Sequence, residues 1–175
     1  LVIIANNFYQ KGGDLVVEAF KRLKTQYQAL ELHIIGGHPG EDVIKISDVV
    51  YHGYLYKEQP EDLKALVGVL SKAFLLMHLT REDTNPLVIT EAGYFGCPAI
   101  SVNKFGIPEL IENNETGVLL NTPIKVSDIT QSIERFVLKP EQYMRLRRNT
   151  KEFNENKFSW QSVTYHIKNR LDTLN

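Results

Sequence analysis

Two carboxylates separated by seven residues are the feature of this sequence best suited to chemistry. Asp83 lies in a polar loop, and Glu91 follows in an apolar stretch that includes Ile89, Ala92 and Phe95. An ionised carboxylate in apolar surroundings is unfavourable unless hydrogen-bond donors satisfy it, and sugar hydroxyls are suitable donors. The alternative is structural, with Asp83 helping to cap the following helix and Glu91 lying on a solvated stripe.

The segment between the two acids predicts the N-terminus of a helix that binds an anion. Thr84 or Asn85 can cap this helix, and Pro86 suits its first position. The N–H groups near Pro86, Leu87 and Val88 then have no partner within the helix and can hold phosphate or sugar oxygens.

A second loop, residues 6–14, carries a positive charge beside two glycines. Lys11 is a point charge suited to phosphate, and Gly12 and Gly13 let the backbone approach a ligand closely. The loop has neither the G-x-G-x-x-G nor the Walker pattern, so neither a dinucleotide site nor a P-loop is predicted. Taken alone, the segment is also consistent with an ordinary solvated loop.

Short apolar runs of strand length alternate with segments of helical period, a pattern that predicts one α/β domain with a doubly wound parallel sheet, Rossmann-like in form. In such sheets the ligand lies at the carboxyl ends of the strands, where the strand order reverses. The loops that can hold a ligand are therefore 6–13, 36–41, 53–58, 80–86 and 103–107. The predicted strands are Leu1–Ala5, Leu32–Ile35, Asp48–His52, Ala73–Leu79, Pro98–Val102 and Gly117–Leu120.

After about residue 125 the pattern changes to helices only, so the sheet core is predicted over about 1–125 and a helical tail over about 126–175. The predicted helices are 127–138, 140–156 and about 160–173. Ser127 and Ser159 are expected to cap the first and third, and Trp160 to anchor the third by packing. The opening LVIIA reads as a core strand without lead-in, so we expect a partner domain to precede this one in the parent protein.

Composition excludes several classes of function. The net charge of −1 offers no footprint for nucleic acid, and no apolar run reaches the ~20 residues needed to span a membrane. A single cysteine, Cys97, fits a reducing, cytoplasmic compartment and is expected to be a buried thiol. The histidines lack zinc-type spacing, so no metal site is predicted. His78, near a strand end, either lines the cleft or is an ordinary packed histidine.

The two acids run on into EAGYFGCPAIS at 91–101, and this resembles the signature of retaining glycosyltransferase family 4, the group 1 transferases. That signature is an acid, seven positions, and then E-A-x-x-x-G-x-P-V-I. Other segments match family motifs in the same order. They are KGGD at 11–14, IIGG at 34–37, GYL at 53–55, FGIPEL at 105–110, TGVLL at 116–120 and FSW at 158–160.

The resemblance implies a GT-B architecture, in which two Rossmann-like domains face a cleft and this chain is the C-terminal, donor-binding half. It assigns Lys11 to the donor diphosphate, Glu91 to the ribose and Asp83 to the transferred sugar. Backbone N–H groups at 85–88 and Gly12 complete the site, and Tyr54 lies in the loop expected near the nucleobase.

Three positions depart from the family pattern. Asp83 stands where glutamate is commoner, and Asn6 stands where the family has a basic residue. A phosphate-binding charge is therefore missing from that position, unless Arg81 or another residue replaces it. Phe105 occupies the position of the first glycine in the family's G-G-x-P-E pattern.

The function implied is transfer of a sugar from a UDP-, GDP- or ADP-sugar to a glycan or lipid-linked glycan, with retention of configuration, no metal and no other cofactor. A role in cell-surface polysaccharide synthesis follows, in a cytoplasmic enzyme that is peripheral at the inner face of the membrane. We expect this chain to be inactive without its acceptor domain. The alternatives are a nucleotide-sugar epimerase of GT-B shape and a non-catalytic nucleotide-binding module.

Overall fold

The computed structural model describes residues 1–173 and confirms the doubly wound α/β fold. Six parallel strands are arranged in the order β3-β2-β1-β4-β5-β6. The strands are β1 (Val2–Ala5), β2 (Leu32–Gly36), β3 (Val49–Gly53), β4 (Leu76–His78), β5 (Ala99–Val102) and β6 (Gly117–Leu120). The helices are α1 (Gly13–Lys24), α2 (Glu41–Ile44), α3 (Pro60–Lys72), α4 (Leu87–Tyr94), α5 (Val126–Leu138), α6 (Pro140–Phe158) and α7 (Trp160–Asp172), with a 3-10 turn at Ile107–Glu109.

Two apolar cores lie on opposite faces of the sheet. Successive strand side chains point to opposite faces, so Ile3 and Ile34 enter one core while Val2 and Ile35 enter the other. Helices α1 and α5 cover the first face, and α3 and α4 cover the second. This double coverage explains why the strands are apolar throughout rather than alternating in polarity.

Strand β4 is shorter than the predicted Ala73–Leu79. Ala73 ends α3, with its backbone N–H bonded to the carbonyls of Val69 and Leu70, so it cannot begin the strand. At the other end, Leu79 turns towards the loop that follows β1. The remaining three residues pair with β5 along their whole length.

The cap predicted for α5 was wrong. The helix begins at Val126, with Lys125 rather than Ser127 as the capping residue. The Asp128 carboxylate accepts the Lys125 backbone N–H at 3.0 Å and so satisfies a group that the helix leaves free. Ser159 does cap α7, since its hydroxyl accepts the Ser162 N–H at 3.2 Å.

The helical tail is confirmed, and α6 fastens it to both faces of the sheet. Tyr143 packs into the core on the α1 and α5 side, whereas Asn154 lies against Gly93 of α4. The Arg147 guanidinium donates to the carbonyls of Ala73 and Phe95, the residues that end α3 and α4. The packing role predicted for Trp160 was wrong: the indole is 83% exposed, and α7 buries none of its described side chains.

The sheet opens into a crevice between β1 and β4, the two strands at which the order reverses. These strands pair at a single position, Val2 with Leu76, whereas β1 and β2 pair at four. The loops that follow them therefore diverge. A crevice at the carboxyl end of a parallel sheet is where ligands bind in this class of fold.

Gly12 holds the loop after β1 against the end of β4. Its φ is +77°, and a Cβ at this position would lie 2.2 Å from the carbonyl oxygen of Leu79. The close backbone approach predicted for this glycine is therefore made to the protein itself. Gly53, at the end of β3, has a similar φ of +70° but no atom within 4 Å of a built Cβ.

We expect Gly12→Ala to lower the free energy of unfolding by about 3 kcal/mol, because strain from a left-handed L residue is added to overpacking. Gly53→Ala is the matched control and should lose only about 1–2 kcal/mol from the strain. Urea denaturation of both variants measures the difference. Equal losses would show that the contact with Leu79 relaxes without energetic consequence.

Phe105, in the loop after β5, has a φ of +59°, a conformation that glycine adopts without strain. The position is the one at which the family pattern places glycine. An L residue in this left-handed conformation costs roughly 1–2 kcal/mol of stability through strain. Glycine avoids the strain but loses roughly 0.5–1 kcal/mol more conformational entropy on folding.

Phe105→Gly should therefore be more stable than Phe105→Ala by about 1 kcal/mol. Both variants remove the ring, so their difference isolates the backbone strain. Chemical denaturation of the pair measures it, and an alanine variant as stable as the glycine variant would contradict a strained backbone at this position.

Candidate functional site

A pocket of about 300 Å³ occupies the crevice between β1 and β4. Its wall is formed by the ends of the two strands, the loops that follow them and the first turn of α4. Seven of the donor-site residues predicted from the sequence line this pocket. The lining residues are Ile4, Ala5, Asn6, Lys11, His78, Asp83, Asn85, Pro86, Leu87 and Val88.

Lys11 and Asp83 form an ion pair across the pocket. The Lys11 Nζ donates to Asp83 Oδ2 at 2.6 Å and to the Glu82 carbonyl at 3.2 Å. Both side chains are only about one-fifth exposed, at 19% and 20%. Burial favours the neutral form of Asp83 and raises its pKa, but the hydrogen bond and charge of Lys11 outweigh this effect and hold the pKa below its usual value. The carboxylate is therefore charged at neutral pH.

His78, the last residue of β4, forms the floor of the pocket. Its side chain is 2% exposed, and its Nε2 lies 3.4 Å from Asp83 Oδ2. Burial lowers the pKa of the imidazole to about 4. The charge of Asp83 raises this pKa, whereas the charge of Lys11 lowers it. The ring is therefore neutral at neutral pH. The structure is consistent with both roles left open for His78, because the ring is packed and also lies at the wall of the pocket.

The first turn of α4 points free backbone N–H groups at the pocket. The helix begins at Leu87 and Pro86 is the residue before it, so the prediction that Pro86 occupies the first helical position was wrong by one residue. No side chain caps this end, so the caps predicted at Thr84 and Asn85 are also wrong. The N–H groups of Leu87 and Val88 cannot bond within the helix and suit an anion.

Glu91 lies one turn further along α4, in a neighbouring apolar groove rather than in the pocket. The groove is shared with α3, and the Glu91 carboxylate accepts a hydrogen bond from the Lys57 ammonium. The carboxylate thus has the partner that its apolar surroundings require. Lys57 belongs to the loop after β3 and was not predicted, since nothing in its local sequence distinguishes it from a solvated lysine.

Tyr54 and Asn6 meet at the rim of the pocket. The Tyr54 hydroxyl donates to the Asn6 carbonyl at 3.4 Å, and the Tyr54 ring stacks on Tyr56 with centroids 6.1 Å apart. Tyr54 is 49% exposed. The loop after β3 is thereby brought beside the loop after β1, as expected from the parallel sheet.

Arg81 is not brought to the pocket. Its guanidinium makes two hydrogen bonds to the Asp14 carboxylate, at 3.0 and 2.7 Å, and contacts the Tyr9 carbonyl. Hydrogen bonding to Arg81 lowers the pKa of Asp14, because it favours the charged carboxylate. Arg81 is thus engaged with Asp14 and does not replace the positive charge that the family pattern has at the position of Asn6.

The protein-family model described as glycosyl transferases group 1 matches residues 1–153 of this chain. This range includes every residue that lines the pocket. The chain belongs to this family.

Two relatives of this chain are named for the biosynthesis of amylovoran and colanic acid. The chain is 33% identical over 134 residues to the amylovoran biosynthesis glycosyltransferase AmsK of Erwinia amylovora, covering 68% of this chain and 31% of that protein. It is 29% identical over 129 residues to the putative colanic acid biosynthesis glycosyltransferase WcaL of Escherichia coli, covering 69% and 32%. The chain thus spans about a third of the length of these relatives.

Solved structures share the fold of this transferase chain. Anabaena HepE in complex with UDP-glucose superposes with a TM-score of 0.75 at 17% identity, covering 98% of this chain and 48% of HepE. The C-terminal domain of the group 1 family protein LpcC from Francisella tularensis gives 0.74 at 14% identity, covering 91% and 86%. At these identities the likeness concerns architecture alone.

Three further observations concern the part of the chain that the structure describes. Across residues 1–173, no three His, Cys, Asp or Glu side chains are clustered so as to hold a metal ion. In the same range, every helix is too short or too polar to cross a bilayer. Cys97 is buried as predicted, and burial raises the pKa of its thiol to about 12.

The low pKa of His78 predicts a dependence of stability on pH. The unfolded chain, with an ordinary histidine pKa near 6.5, takes up a proton before the folded chain does, so stability falls as the pH decreases from about 6.5 towards 4. Between pH 7 and 4.5 the native chain should lose about 2 kcal/mol more than His78→Leu. Urea unfolding at each pH measures this, and parallel losses would contradict a neutral, buried imidazole.

Proposed function

We propose that this chain is the donor-binding half of a retaining glycosyltransferase and that its pocket holds the diphosphate and sugar of a nucleotide-diphospho-sugar. The observation that carries the proposal is the meeting of Lys11, Asp83 and the free N–H groups of α4 in one pocket at the point where the strand order reverses. A cation and a helix N-terminus suit the diphosphate, whereas a carboxylate suits sugar hydroxyls and developing positive charge.

The groove beside the pocket suits the nucleoside. Glu91 lies on the turn of α4 that follows the pocket residues, so a ligand whose diphosphate meets Leu87 and Val88 can direct its ribose hydroxyls towards Glu91. The exposed ring of Tyr54 lies at the rim on the side of β3, where a base can stack. These assignments follow the order of the motifs along the chain. The ribose would partly displace Lys57, which is the counter-ion of Glu91.

The reaction cleaves the bond between the anomeric carbon and the diphosphate oxygen. The diphosphate departs with the bonding electron pair, and Lys11 and the α4 N-terminus stabilise its negative charge. The sugar gains oxocarbenium character, which the Asp83 carboxylate stabilises and orients. The oxygen of the acceptor hydroxyl forms the new glycosidic bond, and its proton passes to the departing diphosphate oxygen. Retention of configuration and the absence of a metal requirement belong to this proposal.

The acceptor, a glycan or lipid-linked glycan, belongs to a second domain of the parent protein. Support comes from the relatives, in which the matched segment is only about a third of the length, and from LpcC, whose matched structure is a C-terminal domain. The relatives named for colanic acid and amylovoran synthesis point to a bacterial cell-surface polysaccharide as the product. We expect the parent protein to work at the cytoplasmic face of the membrane.

Calorimetry on the 175-residue chain with UDP, GDP and ADP and their glucose conjugates tests donor binding. One series should bind, and UDP-glucose is the first choice because HepE was solved with it. Lys11→Ala should weaken that binding by about 1.5–3 kcal/mol, the range for a charge-assisted hydrogen bond. Lys24→Ala is the matched control, since Lys24 also forms an ion pair, with Asp48 at 2.8 Å, but lies outside the pocket.

A second variant separates the roles of the paired side chains. Asp83→Asn should weaken binding of the nucleotide-sugar more than binding of the nucleoside diphosphate, because Asp83 faces the sugar and its loss frees Lys11 for phosphate. If no nucleotide binds at millimolar concentration, or if Lys11→Ala and Lys24→Ala behave alike, the proposed donor site is wrong.

A further inference from the structure

His78 is a buried polar side chain whose hydrogen-bonding capacity is unused. Among residues 1–173, neither its Nδ1 nor its Nε2 has a hydrogen-bond partner, and both atoms are inaccessible to water. Leaving a buried polar group unsatisfied costs about 1–3 kcal/mol, and most buried groups avoid this. The backbone of His78 is held firmly, since its carbonyl accepts the Ser101 hydroxyl at 2.7 Å. The unused ring therefore reflects a missing partner rather than a loose position.

The polar group that lies near the ring is the carboxylate that Lys11 already holds. His78 Nε2 lies 3.4 Å from Asp83 Oδ2, and the same oxygen accepts from Lys11 Nζ at 2.6 Å. A neutral imidazole carries its proton on one nitrogen only. Because Nε2 has an acceptor within reach, the geometry favours the Nε2–H tautomer. A small movement of Asp83 away from Lys11 would complete a hydrogen bond to this N–H.

We propose that His78 is a positioning residue for Asp83. When the donor diphosphate draws Lys11 away, the Nε2–H of neutral His78 donates a hydrogen bond to Asp83 Oδ2 and keeps the carboxylate directed into the pocket. The inference rests on the proposed function for the departure of Lys11. Asp83 would otherwise lose its strongest partner at the moment at which its orientation towards the sugar matters.

A neutral donor suits this task better than a second cation. The charged groups that face the ring are Asp83 and Lys11, and the lowered pKa of the buried imidazole keeps it uncharged beside them. A neutral N–H fixes the carboxylate without cancelling its negative charge. Asp83 thus keeps the charge that stabilises positive charge developing on the sugar.

The first test needs no donor, because Lys11→Met imitates the departure of Lys11. Nitrogen-15 NMR of labelled histidine at pH 7.5 should show the Nε2–H tautomer of His78 in the native chain. In Lys11→Met the ring N–H proton should move downfield and exchange more slowly with water, and Lys11→Met/Asp83→Ala should reverse both changes. Lys24→Met, which breaks the ion pair with Asp48, should leave the resonance unchanged.

The second test uses side-chain amides that place an N–H at different distances from the backbone. In His78→Gln the amide nitrogen would stand near the position of Nε2, whereas in His78→Asn it would stand near that of Nδ1. We therefore expect His78→Gln to bind UDP-glucose within about twofold of the native chain, and His78→Asn and His78→Leu to lose about fivefold or more. In His78→Asn and His78→Leu, binding of UDP should fall less than binding of UDP-glucose. A purely structural role would lower stability without separating UDP from UDP-glucose.

The two tests have distinct failures. An Nδ1–H tautomer, a charged ring at pH 7.5, or no response to Lys11→Met overturns the role of His78 whatever the donor. If the ring responds as expected but no nucleotide-sugar binds, the contact between His78 and Asp83 stands and the proposed donor function is wrong. Equal UDP-glucose affinity in His78→Gln and His78→Asn would also overturn the proposal.

Discussion

The reversal of strand order between β1 and β4 is the constraint on which the rest of this molecule depends. Because these strands pair at one position only, their carboxyl ends separate and their loops enclose a pocket. Two contacts bridge the gap. Gly12 lies against the Leu79 carbonyl, where only a residue without a side chain fits, and Lys11 reaches Asp83. The first contact fixes the distance between the loops, and the second places opposite charges inside the space they enclose.

Both acids of the motif are paired with a lysine. Asp83 is paired with Lys11 from the loop after β1, and Glu91 with Lys57 from the loop after β3. A half-buried carboxylate is unfavourable without such a partner, so the protein itself supplies a counter-ion to each acid. In the proposed function, the phosphates and hydroxyls of the nucleotide-sugar would exchange partners with these groups. Arg81 is engaged differently, because its two-pronged pair with Asp14 braces the outer side of the same loops.

Much of the fold was predictable because local pattern and tertiary structure agree. The boundaries of β6, at Gly117–Leu120, and the start of the helix at Pro140 follow from an apolar run and from a proline at the first helical position. The predictions that failed depend on contacts that the local pattern does not show. Helix α5 begins at Val126, before Ser127, and the Asp128 carboxylate accepts the backbone N–H of Lys125. Leu79 leaves the strand to meet Gly12, and Trp160 finds no surface to cover.

The sequence by itself determined the alternation of strands and helices, the loops that face the ligand and, through the order of its motifs, the family. It determined these because period, capping chemistry and motif spacing are local properties of the chain. Only the tertiary structure decided which charges are paired: that Lys11 holds Asp83, that Lys57 holds Glu91 and that Arg81 serves Asp14. It also placed His78 beneath Asp83 with an unused ring. These pairings join residues from different loops, and distance along the chain carries no information about which loops a parallel sheet brings together at its edge.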